Sequence, residues 1–555
     1  MGTLQLAKPE RQRHHGAVMP TPTASSPMTP KNPREVLLCR DAATGEHLGE
    51  VAIMDQEQVD AAVARARKAQ ANWAETSFNE RRKVFRDLLK RILAEQQTIC
   101  RAACRDSGKT PVDAAMGEVF PVCEKLRYTI RNGERDLRPS PRRSGFLLHK
   151  SARVEYSPLG VIGVIAPWNF PFHNLLCPLI PALFAGNAVV TKVSELATWS
   201  SLGYLDLLRD VLRARGHDPE LVQIVTGYGP AGQALIRSGV EKIFFTGSPE
   251  NGRRVMATAA ESLTPVVLEL GGKDPMIICD DANIDQAADA AMLGVFTACG
   301  QMCVGAERIY VFDSVYDQFI ERVLARVVAL RQGPPLTGEY DVGAMTMPRQ
   351  IEIIQSLVDD AIAKGARLLT GGRRNENLSQ GSYYEPTILV DVDHSMRITQ
   401  EEQFGPVMVI VRVADEQEAI QLANDCPYGL GSSIFTRDRK RSDRIAAKLD
   451  AGMTVVNDYG LAYMIQDLPF GGVKISGIGK INGREGLRAC CNAKAVVRDR
   501  IPVRQGLAVY PVRETTEALL NETIRMIYSR GLLVRTKAVG RALRAFVALA
   551  RARRR

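Results

Sequence analysis

From about residue 50 the chain alternates between two hydrophobic periods, and this leaves few folds open to it. Stretches 57–75 and 79–105 repeat their apolar residues at helical spacing and are rich in Ala, Arg and Glu. Short β-rich runs follow: GVIGVIA (160–166), NAVVTKV (187–193), LVQIV (221–225) and KIFFT (242–246), with helical stretches between them. Strand, helix and strand in succession build βαβ units and a mostly parallel sheet. The alternation resumes with PMIICDD, a helix at 284–298, ERIYVF, a helix at 315–331, PVMVIVRV, a helix at 415–425 and MTVVN, which predicts a second α/β lobe. There is no internal repeat of about 20 to 50 residues, so solenoids and propellers drop out.

At roughly 150 residues per domain, a chain of 555 residues is expected to form three or four lobes. No apolar run approaches the roughly 18 to 20 residues a bilayer span needs, which excludes a multispan membrane protein. The eleven cysteines are odd in number and scattered, which argues against a disulfide framework and for a reducing, cytoplasmic setting. No Cys/His grouping has zinc-ligand spacing, so no metal is expected.

The net charge is +10, but residues 511–555 hold eleven Lys or Arg against three Glu, which accounts for +8 of it and leaves +2 for the rest. The body is nearly neutral and has no interleaved basic and aromatic face, so nucleic acid is not the expected partner. Residues 1–34 read as a disordered leader, with an organelle transit peptide as the alternative. Residues 506–555 read as a basic extension. Its part from 523 to 555 carries ten Lys or Arg, no acid and interspersed Leu, Val and Phe. That segment is either a basic amphipathic helix making peripheral contact with an anionic membrane or partner, or a solvated, loosely ordered tail.

Two places offer backbone N–H groups to a phosphate. Gly227-Tyr-Gly-Pro-Ala-Gly232 follows one predicted strand and opens a predicted helix, as a dinucleotide-binding turn should. Gly247 and Gly252, in FFTGSPENG, stand at a second strand-to-helix junction. The pattern alone does not rank them. Further on, Cys303 lies in a Gly/Gln-bearing turn after a predicted helix, where a thiolate is accessible. Glu269 ends an apolar strand run, where burial raises a carboxyl toward the range of a general base.

PWNFP (167–171), KVSE (192–195), FTGS (245–248), LELGGK (268–273), GQMC (300–303), EEQFGPV (401–407) and PFGGVKISGIG (469–479) occur in this order. Together they resemble the NAD(P)-dependent aldehyde dehydrogenase superfamily over roughly residues 35–500. The resemblance implies an α/β fold with a Rossmann-type NAD-binding lobe (35–145 and 161–270) and a catalytic lobe (271–470). It also implies a β-hairpin oligomerisation arm (146–160 and 471–505) that pairs subunits into a homodimer or homotetramer.

The same resemblance assigns roles. Cys303 is the implied nucleophile that attacks the aldehyde carbon, and Asn169 with the Cys303 backbone N–H holds the oxyanion. Hydride passes to the nicotinamide, and Glu269 activates the water that releases the carboxylic acid. Lys192 and Glu195 match the residues on the adenosine ribose, where a carboxylate favours NAD over NADP. Gly247 and Ser248 match the pyrophosphate site, which leaves Gly227 and Gly229 as turn glycines. Trp168 is implied on the adenine side, and Glu402 and Phe404 at the nicotinamide ribose and ring. Val193 replaces the proline usual in KPSE but keeps both polar groups.

Side chains near Cys303 should set the substrate: Phe172, Asn174 and Cys177, then Tyr459, Leu461, Tyr463 and Met464, with Met302 and Val304 beside the nucleophile. Residues 291–304 hold no Lys or Arg to pair a distal carboxylate, which points to an apolar or weakly polar aldehyde rather than a semialdehyde. Cys299 lies four residues before Cys303, so a continuing helix would let the two thiols face each other; otherwise Cys299 is a buried spectator. Three alternatives remain: a semialdehyde enzyme, a coenzyme-A-acylating relative, which would usually lack Glu269, and a membrane-associated scaffold without catalysis.

Overall fold

The computed structural model describes residues 36–501, 510 and 512–552. The leader reading for 1–34 and part of the extension lie outside them. The described residues divide into two compact units: 36–137 with 157–492, and 138–156 with those described from 493 to 552.

The first unit holds both predicted lobes. In one, a six-stranded sheet runs in the order Gly477–Ile478, Val266–Leu270, Lys242–Gly247, Val161–Ile165, Ala188–Lys192 and Val222–Val225. Its five long strands are parallel, and the sixth pairs antiparallel with Gly477 opposite Glu269. Strand Val161–Ile165 is buried nearly throughout, as a strand covered by helices on both faces must be. The chain leaves it first toward Ala188–Lys192, then returns to add Lys242–Gly247 on the other side. This reversal opens a crevice at the carboxyl ends of the strands, where such sheets take ligands.

The other lobe is a seven-stranded sheet, ordered Arg367–Thr370, Thr387–Val390, Val407–Val413, Ala306–Phe312, Asp274–Ile278, Ser433–Phe435 and Val455–Val456. Only its first pair is antiparallel. Its core joins Met276, Ile309, Ile410 and Phe435 to helix residues such as Ala287, Phe319 and Leu357.

Residues 157–160 and 471–492, grouped with the arm on sequence, belong to the first unit instead. Gly477 there has φ +146, and a Cβ would sit 2.2 Å from the Leu268 carbonyl, so only glycine lets this strand close on Glu269's strand. The arm sheet has three strands, Cys491–Asp499, Lys150–Pro158 and Ser140–Arg142, with the last two antiparallel. In the second unit, Glu514–Tyr528 and Leu532–Ala552 are helices, and Leu519, Ala542 and Leu549 form the small core between them. Among the described residues no helix is long and apolar enough to cross a membrane.

Candidate active site

One cavity of about 880 Å³ runs from the strand ends of the six-stranded sheet to the loop carrying Cys303. At its polar end stand Lys192, Ser194 and Glu195, with Lys192 Nζ 3.6 Å from Glu195 Oε2. Gly247, Ser248 and Asn251 line it beside them. Ser248 caps the helix Pro249–Ala260, its hydroxyl accepting from the Asn251 N–H at 3.3 Å. A Cβ on Gly247 would lie 2.6 Å from the Phe245 ring, so this backbone stays bare. A helix N-terminus, a bare glycine and a carboxylate near a lysine suit a pyrophosphate and ribose hydroxyls, and so fit a dinucleotide.

The rival glycine turn stays outside. Gly227 and Gly229 follow the edge strand Val222–Val225 and do not line the cavity; Gly227 has φ +136 and is tucked against Ala231 and Ile53. Gly252 also lies off the lining, where a Cβ would strike Leu270 at 2.8 Å. It serves helix-on-strand packing rather than phosphate contact.

At the reacting end, Cys303, Glu269 and Asn169 converge on the same cavity. Burial pushes Glu269 up to about 7, with a hydrogen bond from the Cys303 thiol working against the rise. Glu269 Oε1 is buried and accepts no hydrogen bond. Cys303 is half-buried, and desolvation followed by the Glu269 charge raises its thiol well above the usual range. Both effects favour the neutral thiol over the thiolate while Glu269 is charged beside it. Asn169 Nδ2 donates to the Gln301 carbonyl at 3.0 Å and its Oδ1 accepts from Asn174 at 2.9 Å, so the amide is fixed with a second N–H to offer.

The loop before Cys303 explains why Cys299 does not face it. The helix ends at Phe296, and Ala298, Cys299 and Gly300 all have positive φ, at 50°, 59° and 73°. Cys299 is fully buried. Two consecutive non-glycine residues in the left-handed region store strain at this site, paid for by packing elsewhere. A Cβ on Gly272 would lie 2.2 Å from the Cys303 carbonyl, which pins the loop from the far side.

Glu402 and Phe404 line the cavity too. Glu402 accepts from the Gly272 N–H at 3.0 Å, and Phe404 meets Trp168 edge-on at 5.6 Å. The residue expected at the adenine end thus pairs with the one expected at the nicotinamide. Of the substrate residues, Asn174, Cys177, Met302, Val304, Tyr459, Leu461, Tyr463 and Met464 line the cavity. Phe172 does not: it is fully buried, 4.9 Å edge-on from Tyr204, in the core beneath the helix Pro171–Ala185.

Sequence reasoning missed two buried networks. Lys109 donates to Glu118 and to the Asn169 carbonyl, both at 2.6 Å, and Glu118 accepts from the His173 N–H at 2.9 Å. The pair thereby anchors Asn169 and the start of the helix that follows it. Lys273 donates to Glu307 at 2.9 Å, and Glu307 accepts from the N–H groups of Gln403 and Phe404, holding that loop over the cavity. The available signal was a lysine or glutamate inside otherwise apolar strand ends, such as Lys273 in LELGGK.

The aldehyde dehydrogenase family model matches residues 29–496. An aldehyde dehydrogenase-like protein of Schizosaccharomyces pombe is 42% identical over 87% of this chain and 94% of its own length. The 4,4'-diapolycopene aldehyde oxidase of a Methylomonas species is 38% identical over 80% of this chain and 82% of its own. The crystal structure of a Mycobacterium tuberculosis aldehyde dehydrogenase complexed with NAD+ superposes with TM-score 0.79 at 31% identity, covering 86% of this chain and 96% of that one.

Proposed function

Because this chain belongs to the aldehyde dehydrogenase family, we propose that it oxidises an apolar or weakly polar aldehyde to the carboxylic acid with NAD. The observation that carries this is the meeting of Cys303, Asn169 and a Glu269 raised to about 7 in one cavity. Glu269 takes the thiol proton, and the Cys303 thiolate attacks the aldehyde carbon to give a thiohemiacetal. The Asn169 amide and the Cys303 backbone N–H hold the oxyanion. Lys192, Glu195, Gly247 and Ser248, with Glu402 and Phe404 beyond, would hold NAD, which would supply the acceptor for the hydride lost from the thiohemiacetal carbon. Once Glu269 has released the thiol proton to solvent, it is again a carboxylate and deprotonates the water that hydrolyses the thioester left on sulfur. Glu269 thus favours hydrolysis over transfer to coenzyme A.

The substrate end supports an apolar aldehyde. Met116, Phe120, Leu293 and Leu461 line the cavity and are still partly exposed, forming an apolar mouth. The basic side chains in the lining are Lys192, beside Glu195, and His173, which burial and Lys125 lower to about 3 and keep neutral. A distal carboxylate would find no cation there. The relative that acts on diapolycopene aldehyde is consistent with this preference.

Exposed Val497 on the arm sheet, with exposed Phe146, Leu148 and Ile501 in the segments beside it, supports a homodimer or homotetramer. All eleven cysteines are unpaired, which supports a reducing, cytoplasmic setting. Residues 523–555 make a peripheral membrane contact in the same reading. The test is NADH absorbance over aldehydes of varied length and charge, with Cys303→Ala as the blank and NADP in parallel. Turnover only with charged semialdehydes, only with coenzyme A, or only with NADP would each overturn the corresponding part.

A further inference from the structure

We propose that the outward face of the helix Leu532–Ala552 is a docking surface for an anionic lipid bilayer, which the helix lies along without crossing. Three rows of side chains carry the proposal. Ala538, Ala542, Ala545 and Leu549 recur at intervals of four, three and four and are turned inward, the last three packing with Leu519 of the partner helix. Val539, Leu543, Phe546 and Ala550 repeat that rhythm one position later, which puts them about 100° round the helix. This second row is not buried: Leu543 is 59% and Phe546 57% exposed, and Leu532, 80% exposed, continues it by one heptad. Lys537, Arg544 and Arg551, seven residues apart, form a third row about 130° further round the helix, with exposed Val547 between it and the apolar row.

The charge pattern selects the occupant. Arg541 is drawn inward toward Glu522, at 3.7 Å, while the third row points away from that interface. Residues 523–555 carry ten cations and no acid, so a second copy meeting this face would bring like charges together. A surface of acidic headgroups removes that repulsion and adds attraction for each cation. The apolar row then enters the acyl boundary while Lys and Arg stems lie along it and keep their charges at the headgroups. This deepens the membrane contact proposed above and uses no step of the catalysis, so either reading can fail alone.

The full-length protein is sedimented with vesicles of phosphatidylcholine, alone or with phosphatidylserine, while NADH production is followed on the same samples. Binding is expected to the anionic vesicles, weakening as salt rises. Replacing Lys537, Arg544 and Arg551 together by Gln should weaken it roughly a hundredfold, about fivefold per cation. Leu543→Glu with Phe546→Glu should abolish it, and turnover should be unchanged throughout. Phe546→Trp, which keeps the face apolar, should shift its emission to the blue on anionic vesicles even if the double Glu variant disturbs the hairpin. No sedimentation of the parent protein with anionic vesicles overturns the proposal, as does undiminished binding of both charge and apolar variants. Light scattering in which Leu543→Glu with Phe546→Glu loses an oligomer but not vesicle binding assigns the face to a second copy and also overturns it.

Discussion

The two ends of the cavity are built from different materials. The end with Lys192, Glu195, Gly247 and Ser248 is assembled from strand ends and one helix N-terminus, so sheet topology fixes where its groups stand. The proposed aldehyde end is walled by Met116, Phe120, Leu293, Leu461 and Tyr463 on helices and loops, where side-chain identity sets the shape. The cofactor end should resist change in position but respond to lost charge. The aldehyde end should tolerate substitution and pass the cost to one substrate class. Cys303 sits where the two meet, and everything on either side should fail with it.

Cys303→Ala is accordingly expected to cost at least about 10⁴-fold in kcat with every aldehyde and with either cofactor, read as NADH production. Glu269→Gln should lose roughly 10² to 10⁴-fold. Its pH profile sharpens the assignment: Glu269 must be deprotonated to accept a proton, and burial raises it to about 7. Wild-type activity should therefore fall as pH drops through about 7, and the Gln variant should lose that limb. A limb that survives in the variant would assign the base elsewhere.

Lys109→Met tests the support beneath the oxyanion residue. It leaves Glu118 buried and without its ammonium partner, which costs about 3–5 kcal/mol by denaturant unfolding. Lys109→Met with Glu118→Met should recover much of that stability. Glu195→Gln should raise the KM for NAD about tenfold and narrow its preference over NADP, with aldehyde KM unchanged. Phe120→Ala should do the reverse, lowering kcat/KM for apolar aldehydes about fivefold and sparing the NAD KM. If both variants moved both KM values equally, the division of the cavity would be wrong.

Much of the cofactor end was legible in the sequence, because strand periodicity fixes sheet order and the KVSE and FTGS segments fall at strand ends. Local pattern alone did not rank the two glycine turns, since both have it, and only the resemblance favoured Gly247. What separates them is strand order, which leaves Gly227 at the sheet edge and Gly247 at the crevice. Gly252 and Phe172 were misplaced for a related reason: one residue of rotation on a helix decides between cavity and core, and the motif does not carry that phase. Glu118 and Lys109 escaped notice because their partners, His173 and Asn169, lie more than fifty residues away. The left-handed pair Ala298–Cys299 was equally hidden, since neither residue announces positive φ as glycine does.

That bend, clamped by Gly272 behind it, leaves the loop one workable path to Cys303. On the proposed reading, a change of aldehyde is made at Met116, Phe120 or Leu461 rather than at Cys303, because moving Cys303 would disturb the turn that carries it.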